Sequence, residues 1–357
     1  MNAASGETAY PFDLASQADI ILTLRNQGLR EQAIQRALTI GELCLSQDAE
    51  SARTPLFHTL FKPLLRNYHF QYQPYDFELV DYELYEFAPN MPLVRGPRPP
   101  IYDISAGDYC VVLGAAQLFG RFQPKSINVL LKERYGISVL NLAVGGAGPL
   151  LFANNPAVIE ACRRARFVVL QILSGRSIGC EEYPGERMTA PAAKPGSPRR
   201  DRNEILADIW REDRNEAIRL VTKWNRNYVE AYQSLIQRIG RPVILVWLSN
   251  SSSDSWSIDM LKERQNFGQF PHLVSREMID AIRPSAAGYV EGGRDEWIGA
   301  DTHSRLDGTP APFFLEDGAG FRQMWRNVYY ASARAVQDLA TRLSVEIDKL
   351  GAARSSA

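Results

Sequence analysis

The chain has 357 residues, 45% hydrophobic and 23% charged, with a formal net charge of −1 at pH 7. That length can bury a sizeable core in one large or two small domains. The balanced charge sets up no bulk field that would draw nucleic acid or an anionic membrane surface.

The opening stretch, MNAASGETAYPFDLASQ, lacks the basic start and apolar run of a secretory leader, and no segment approaches the ~20 apolar residues of a membrane span. A cytoplasmic location with no membrane and no nucleic-acid partner is therefore expected. Cys44, Cys110, Cys162 and Cys180 show no CxxC spacing, and His58, His69, His272 and His303 show no paired ligand spacing. Cys110 and Cys162 fall in apolar-periodic segments and read as core thiols. No metal and no cofactor are expected.

Residues 14–48 read as helical, with Leu29, Ala33, Ile34, Ala37, Leu38 and Leu43 keeping a helical beat. The aromatic-rich "NYHFQYQPYDFELVDYELYEF" that follows suits extended segments covering a hydrophobic face. The proline-rich "RGPRPP" at 95–100 reads as a linker, dividing an N-terminal region, 1–100, from a main domain, 101–357.

From 109 onward strands and helices alternate. "YCVVLG" is a strand, and Pro124 is placed to open a helix carrying Ile127, Leu130 and Leu131. "ISVLNLA" and "RFVVLQIL" are further strands, separated by a glycine turn and a helix through Ala157 to Arg164. A polar insertion at 178–203 reads as a mobile loop. A long helix then carries Leu220, Val221, Trp224, Tyr228, Ala231, Leu235, Ile236 and Ile239 on one stripe, and Gly240 stops it. "RPVILVWLS", a helix near 274–283, a short "GYVEG" strand and a closing helix at 331–349 follow.

Continuous apolar strands alternating with helices mean a parallel sheet covered on both faces. The expected fold is a three-layer α/β/α sandwich around a five-stranded, mainly parallel sheet. In such sheets the ligand crevice lies at the carboxyl ends of the strands. That selects the turns 114–121, 143–149, 174–178 and 249–254, together with the segment before the last helix.

Taken in order, these turns resemble the block layout of the SGNH (GDSL-like) hydrolases, an α/β/α family with a five-stranded parallel sheet. "VVLGAAQLFG" sits where the first block, a strand running into Gly-Asp-Ser, would sit. "VLNLAVGGAG" resembles the second block, with Gly146 the counterpart of the oxyanion-hole glycine. "VVLQILSGRS" resembles the third, and "NVYYASARAVQDLA" the last. The resemblance implies a Ser-His-Asp site, yet Ala116 stands at the nucleophile, Ser174 at the third-block glycine and Arg176 near its asparagine. Asn327 and Tyr330 take the places of the acid and base. A triad needs a nucleophile, a base in reach and an acid to orient it, so a serine esterase is not expected.

The sequence is closer to an uncharacterised bacterial family carrying "LGAAQ-FGRF", "NL-VGGAGP" and "QVMSGRS", here "LGAAQLFGRF", "NLAVGGAGP" and "QILSGRS". That likeness implies no particular reaction. It would put a histidine shortly after a "YY-S" stretch, where this chain has Val336.

Several groups remain for binding or chemistry. The turn Gly145-Gly146-Ala147-Gly148 either cradles an oxyanion, sulfate or phosphate with its amides or serves only as a tight turn. Gln117 and Arg121 follow the first strand, and Arg176 and Ser177 the third. Two guanidinium forks suit a carboxylate, sulfate or phosphate, unless each pairs with a surface acid.

Asn250, with the serines around it, could meet sugar hydroxyls, and Trp256 could offer a stacking face. Asp301 and His303, in "ADTHSRLDG", are the candidate acid-base pair if that loop folds over the crevice.

Three readings follow. One is a non-classical transferase or hydrolase acting on an anionic or glycan-type small substrate. The second is a binding protein without chemistry, in which Gln117, Arg176 and Asn250 converge. The third is a scaffold whose aromatic residues 65–90 dock a partner or form a homo-oligomer.

Overall fold

A computed structural model of the chain describes residues 23, 27, 79–80, 84–89, 91–96, 107–185, 202–293, 300–304, 308–317, 320–327 and 329–351. The chain forms two compact units, one of residues 1–81 with 302–325, the other of 82–301 with 326–357. The expected helix at 14–48, the aromatic stretch at 65–90 and the linker near 95–100 lie largely outside the described residues.

In chain order, β1 (Leu84–Tyr85) pairs antiparallel with β2 (Val94–Arg95). Then come β3 (Tyr109–Leu113), the one-turn α1 (Ala116–Phe119), α2 (Ile127–Tyr135) and β4 (Ser138–Asn141). Two short helices, α3 (Pro149–Ala153) and α4 (Pro156–Arg164), lead to β5 (Val168–Gln171). Next are α5 (Arg202–Glu212), α6 (Arg214–Ile239) and β6 (Val243–Leu248). The larger unit continues with α7 (Ile258–Glu263), α8 (Arg276–Ile282), β7 (Gly288–Gly292) and β8 (Ala300–Asp301). In the smaller unit β9 (Phe313–Asp317) and β10 (Gly320–Met324) form an antiparallel hairpin. The chain returns with β11 (Arg326–Asn327), which pairs antiparallel with β8, and ends in α9 (Ala333–Lys349).

β3 to β7 make one sheet in the order β4-β3-β5-β6-β7, every pair parallel. Numbered along the chain this is 2-1-3-4-5, the flavodoxin-like doubly wound order. All residues of β3, β5 and β6 are buried, as strands covered on both faces must be. Val111, Leu140, Val168 and Val243 share one face by register and pack with α3, α4, α6 and α8. The opposite face is covered by α2, which meets β4, and by α9, which meets β7 and α2. This is the expected three-layer sandwich, with a wholly parallel sheet.

Three local readings change. Pro124 lies in a turn, and α2 starts only at Ile127. Part of the expected 178–203 loop is packed structure: Arg202 is buried, donates to the carbonyls of Ile178 and Pro184, and sits 5.0 Å from the Trp224 ring. Residues 186–201 lie outside the described residues. Trp256 offers no stacking face. It is buried, its indole donates to the Asn266 carbonyl at 2.7 Å, and Gly268 lies against its ring.

Candidate functional site

The switch point of the 2-1-3-4-5 order lies between β3 and β5, the place where such sheets open a crevice at their carboxyl ends. Here that gap is bridged. Gln171, the last residue of β5, is fully buried, and its Oε1 accepts from the Ala115 N–H at 2.8 Å. A β-carbon on residue 114 would stand 2.8 Å from that oxygen and 2.8 Å from the Leu118 Cβ. Gly114 is therefore needed for packing as well as for turning. The Gln171 Nε2 and the Gln117 Oε1, both buried, have no hydrogen-bond partner among the described residues. Unmet buried polar atoms cost free energy, on the order of 1–3 kcal/mol each, and such sites call for an explanation.

Two tyrosines hold the backbone beyond β5 from below. Tyr232 donates to the Gln171 carbonyl at 2.8 Å and accepts from the Leu173 N–H at 2.7 Å, while Tyr228 donates to the Leu173 carbonyl at 2.6 Å. Burial pushes both phenols well up from the ordinary range, so they stay protonated donors.

The end of β4 is fixed by a second polar set on the α2 side. Asn141 Nδ2 donates to the Leu118 carbonyl at 3.0 Å, and its Oδ1 accepts from the Ala143 N–H at 3.0 Å. Asn128 of α2 donates to the Gly96 carbonyl at 3.0 Å and takes a longer bond from Asn141. Arg95, buried on β2, donates to the Gly120 and Gln123 carbonyls at 2.5 and 2.7 Å. Gln123 in turn donates to the Ala331 carbonyl. The turn after β3 is thereby tied to the segment before α9, as the block layout leads one to expect.

That segment brings together two expected site residues. Arg121 Nη1 donates to the Tyr330 hydroxyl at 2.7 Å, and its guanidinium lies 5.0 Å from the Tyr330 ring centre and 4.7 Å from that of Phe122. Phe122 holds a left-handed backbone, φ 64°, uncommon for a residue with a side chain. Its ring meets Tyr330 edge-on at 5.5 Å, and Tyr330 meets Tyr329 at 5.0 Å and 82°. Asn327, where the layout would place an acid, is buried and serves the turn instead: Oδ1 accepts from the Tyr329 and Tyr330 N–H groups, and Nδ2 donates to the Tyr330 carbonyl. Partial desolvation and the neighbouring Tyr330 raise the Tyr329 phenol, against the pull of the Arg176 charge.

Arg176 sits on the one-turn helix at 175–177 after β5, half-buried. Its Nε and backbone N–H both reach Ser174 Oγ at 3.4 Å. It forms no ion pair with a carboxylate among the described residues. Ser174 and Ser177 are buried and work inside that turn, the Ser177 hydroxyl donating to the Ser174 carbonyl at 2.8 Å. Gly175 presses against the backbone of residues 272 and 273, its N–H on the His272 carbonyl at 2.8 Å.

The remaining expected residues lie on other segments. Gly146 has φ 71°, which favours glycine, and Gly148 precedes a helix of only five residues. The Ala147 N–H is taken by the Val144 carbonyl at 3.2 Å. Asn250 is exposed after β6. Asp301 lies on β8 in the larger unit, exposed, 3.9 Å from Arg326. His303 belongs to the smaller unit, is exposed and bridges to Pro310 through its backbone.

One cluster was not anticipated. Glu291 Oε1, at the end of β7, accepts from Ser253 at 2.7 Å, Tyr289 at 2.8 Å and Arg276 at 3.2 Å. Gln171 and Asn141 were also missed. Their signal was a lone polar residue near the end of an otherwise apolar strand, in "VVLQIL" and "VLNLA".

A family model described as Domain of unknown function (DUF6473) matches residues 70–183 and 202–307. No curated protein matches the chain. Among solved structures, a family two carbohydrate esterase from Clostridium thermocellum, in complex with cellohexaose, is similar at 12% identity over 73% of this chain and 68% of that one, with a TM-score of 0.33. A carbohydrate esterase family 2 enzyme with a carbohydrate binding domain, from Corynascus thermopiles (Myceliophthora fergusii), is similar at 13% identity over 71% and 69%, with a TM-score of 0.31.

Proposed function

The chain belongs to the family described as Domain of unknown function (DUF6473), and on that premise we propose that it binds a small anionic or carbohydrate-type molecule at the carboxyl ends of β3 and β5. The observation that carries this reading is Arg176: a half-buried residue on the turn that follows β5, with no carboxylate partner among the described residues. A planar fork of donors in that position suits a phosphate, sulfate or carboxylate. The groups it is shown to act on are the Ser174 hydroxyl and, through its charge, the Tyr329 phenol, which can meet a ligand's hydroxyls and ring faces but are poor general bases at neutral pH. Binding is the primary role in this reading, with Ala116, which has no oxygen to attack with, at the position the block layout gives a nucleophile.

The test is a thermal-shift titration of the full chain with phosphate, sulfate and glycosyl phosphates, run beside Arg176→Ala. A ligand raises Tm in proportion to RT ln(1 + [L]/Kd). A rise in the unmutated protein that Arg176→Ala abolishes supports the reading. Equal rises in both proteins, or none in either, would sink it.

A further inference from the structure

We infer that Tyr329 is the ring-recognising surface of this site, so that the ligand is an anion esterified to a ring rather than a free inorganic anion. The inference rests on the anion reading above and extends it to the class of molecule that carries the anion.

Large apolar side chains exposed among the described residues are few: Trp325, Tyr329 and Val345. Tyr329 is 46% exposed, yet its backbone is held. Its N–H is held by Asn327 Oδ1 at 3.1 Å, the next N–H by the same oxygen at 2.9 Å, and the following carbonyl, of Ala331, by Gln123. An exposed ring on a fixed turn gives up little conformational freedom when something stacks on it, and such preorganisation is what makes a surface aromatic useful for binding. The ring also ends a series. Phe122, Tyr330 and Tyr329 follow one another at 5.5 and 5.0 Å, each pair nearly perpendicular, and Arg121 lies against the first two. Phe122 and Tyr330 are occupied by each other and by that guanidinium, so Tyr329 is the member left open to a ligand. The segment displaying it is tied to the turn after β3 by the Arg121–Tyr330 bond at 2.7 Å, which keeps the ring at the carboxyl-end side of the sheet where Arg176 follows β5. A cation for the ester oxygens and a ring for the ring they are attached to make one composite site.

The experiment is calorimetric titration of the full chain with three probes: inorganic phosphate, phenyl phosphate and glucose 1-phosphate. Stacking on a tyrosine should make at least one ring ester bind about tenfold tighter than inorganic phosphate. Tyr329→Ala should remove that preference while leaving inorganic phosphate within twofold, and Tyr329→Phe should keep it. A preference for glucose 1-phosphate identifies the ring as a sugar, and one for phenyl phosphate as an aryl group. If inorganic phosphate binds and no ring ester gains on it, or if Tyr329→Ala leaves the gain intact, the ring inference fails while the anion reading stands. If no probe binds, the ring inference fails, and the anion reading fails with it unless sulfate raises Tm in the thermal-shift titration.

Discussion

The side chain of Gln171 reaches from the end of β5 across to the turn after β3, where its Oε1 accepts from the Ala115 N–H at 2.8 Å in space that a side chain on residue 114 would fill. Gly114→Ala would push a methyl to within 2.8 Å of both that oxygen and Leu118. The turn and the amide cannot both keep their places. Overpacking of this kind costs roughly 1–3 kcal/mol. Urea unfolding should show that loss, and the variant should also lose any ligand-induced rise in Tm.

Tyr232 and Tyr228 are unequal supports. Tyr232→Phe strands one buried N–H and one buried carbonyl, whereas Tyr228→Phe strands a carbonyl alone. An unsatisfied buried group costs on the order of 1–3 kcal/mol, and a carbonyl tolerates the loss better than an N–H. Tyr232→Phe is expected to be the more destabilising by about 1 kcal/mol in a denaturant titration. Equal losses would show that the Leu173 N–H finds another partner.

Glu182 titrates unusually low. Hydrogen bonds from Cys180, from Lys223 and from its own backbone hold its carboxyl at about 2, with Lys223 Nζ at 2.9 Å. A carboxyl depressed in the folded state adds stability above its unfolded pKa and gives it up as pH falls through the folded value. Glu182→Gln should therefore melt below the unmutated protein at pH 7, and the gap should close between about pH 4.5 and pH 2. A gap that is constant over that range would remove the ionic origin.

Cys110 and Cys162 are buried thiols, and burial pushes Cys110 up to about 12 and Cys162 higher. The thiolate is the reactive form. Iodoacetamide at pH 8 should leave both unlabelled in the native protein and label both in guanidinium, as peptide mapping would show. Labelling in the native state would mean that α4 and β3 open locally.

The sheet was legible because its strands are uninterrupted apolar runs, as in Val243–Leu248, and α6 because eight of its residues repeat at helical spacing, all of them on its buried face except the half-buried Ala231. α5 was not legible. Its start, "RNEILADIW", is joined to a polar, proline-bearing stretch, and only burial of Arg202 against Trp224 shows where the loop ends. Of the candidate site, topology selected the turns, and two residues expected separately as ligand contacts, Arg121 and Tyr330, hydrogen-bond to each other. The amides that shape the site were passed over, since a single Gln or Asn in a strand carries no periodicity. Trp256 misled for the opposite reason, because a tryptophan in a serine-rich loop looks available until the fold closes Gly268 over it. Val336 is fully buried on α9, so the position where the resemblance would put a histidine is core in this chain.

The tyrosine pair on α6 also sets a dimension. Tyr228 and Tyr232 stand one helical turn apart, a rise of about 5.4–6 Å, and the carbonyls they grip, on Leu173 and Gln171, stand two residues apart in extended chain, about 6.6 Å. The two repeats are nearly commensurate, so the helix acts as a gauge against which the strand end is set. Residues can be gained or lost beyond the caps at Asp213 and Gly240 without disturbing that match. One residue inserted between the tyrosines would turn one hydroxyl about 100° away from its carbonyl and release the strand end that it holds.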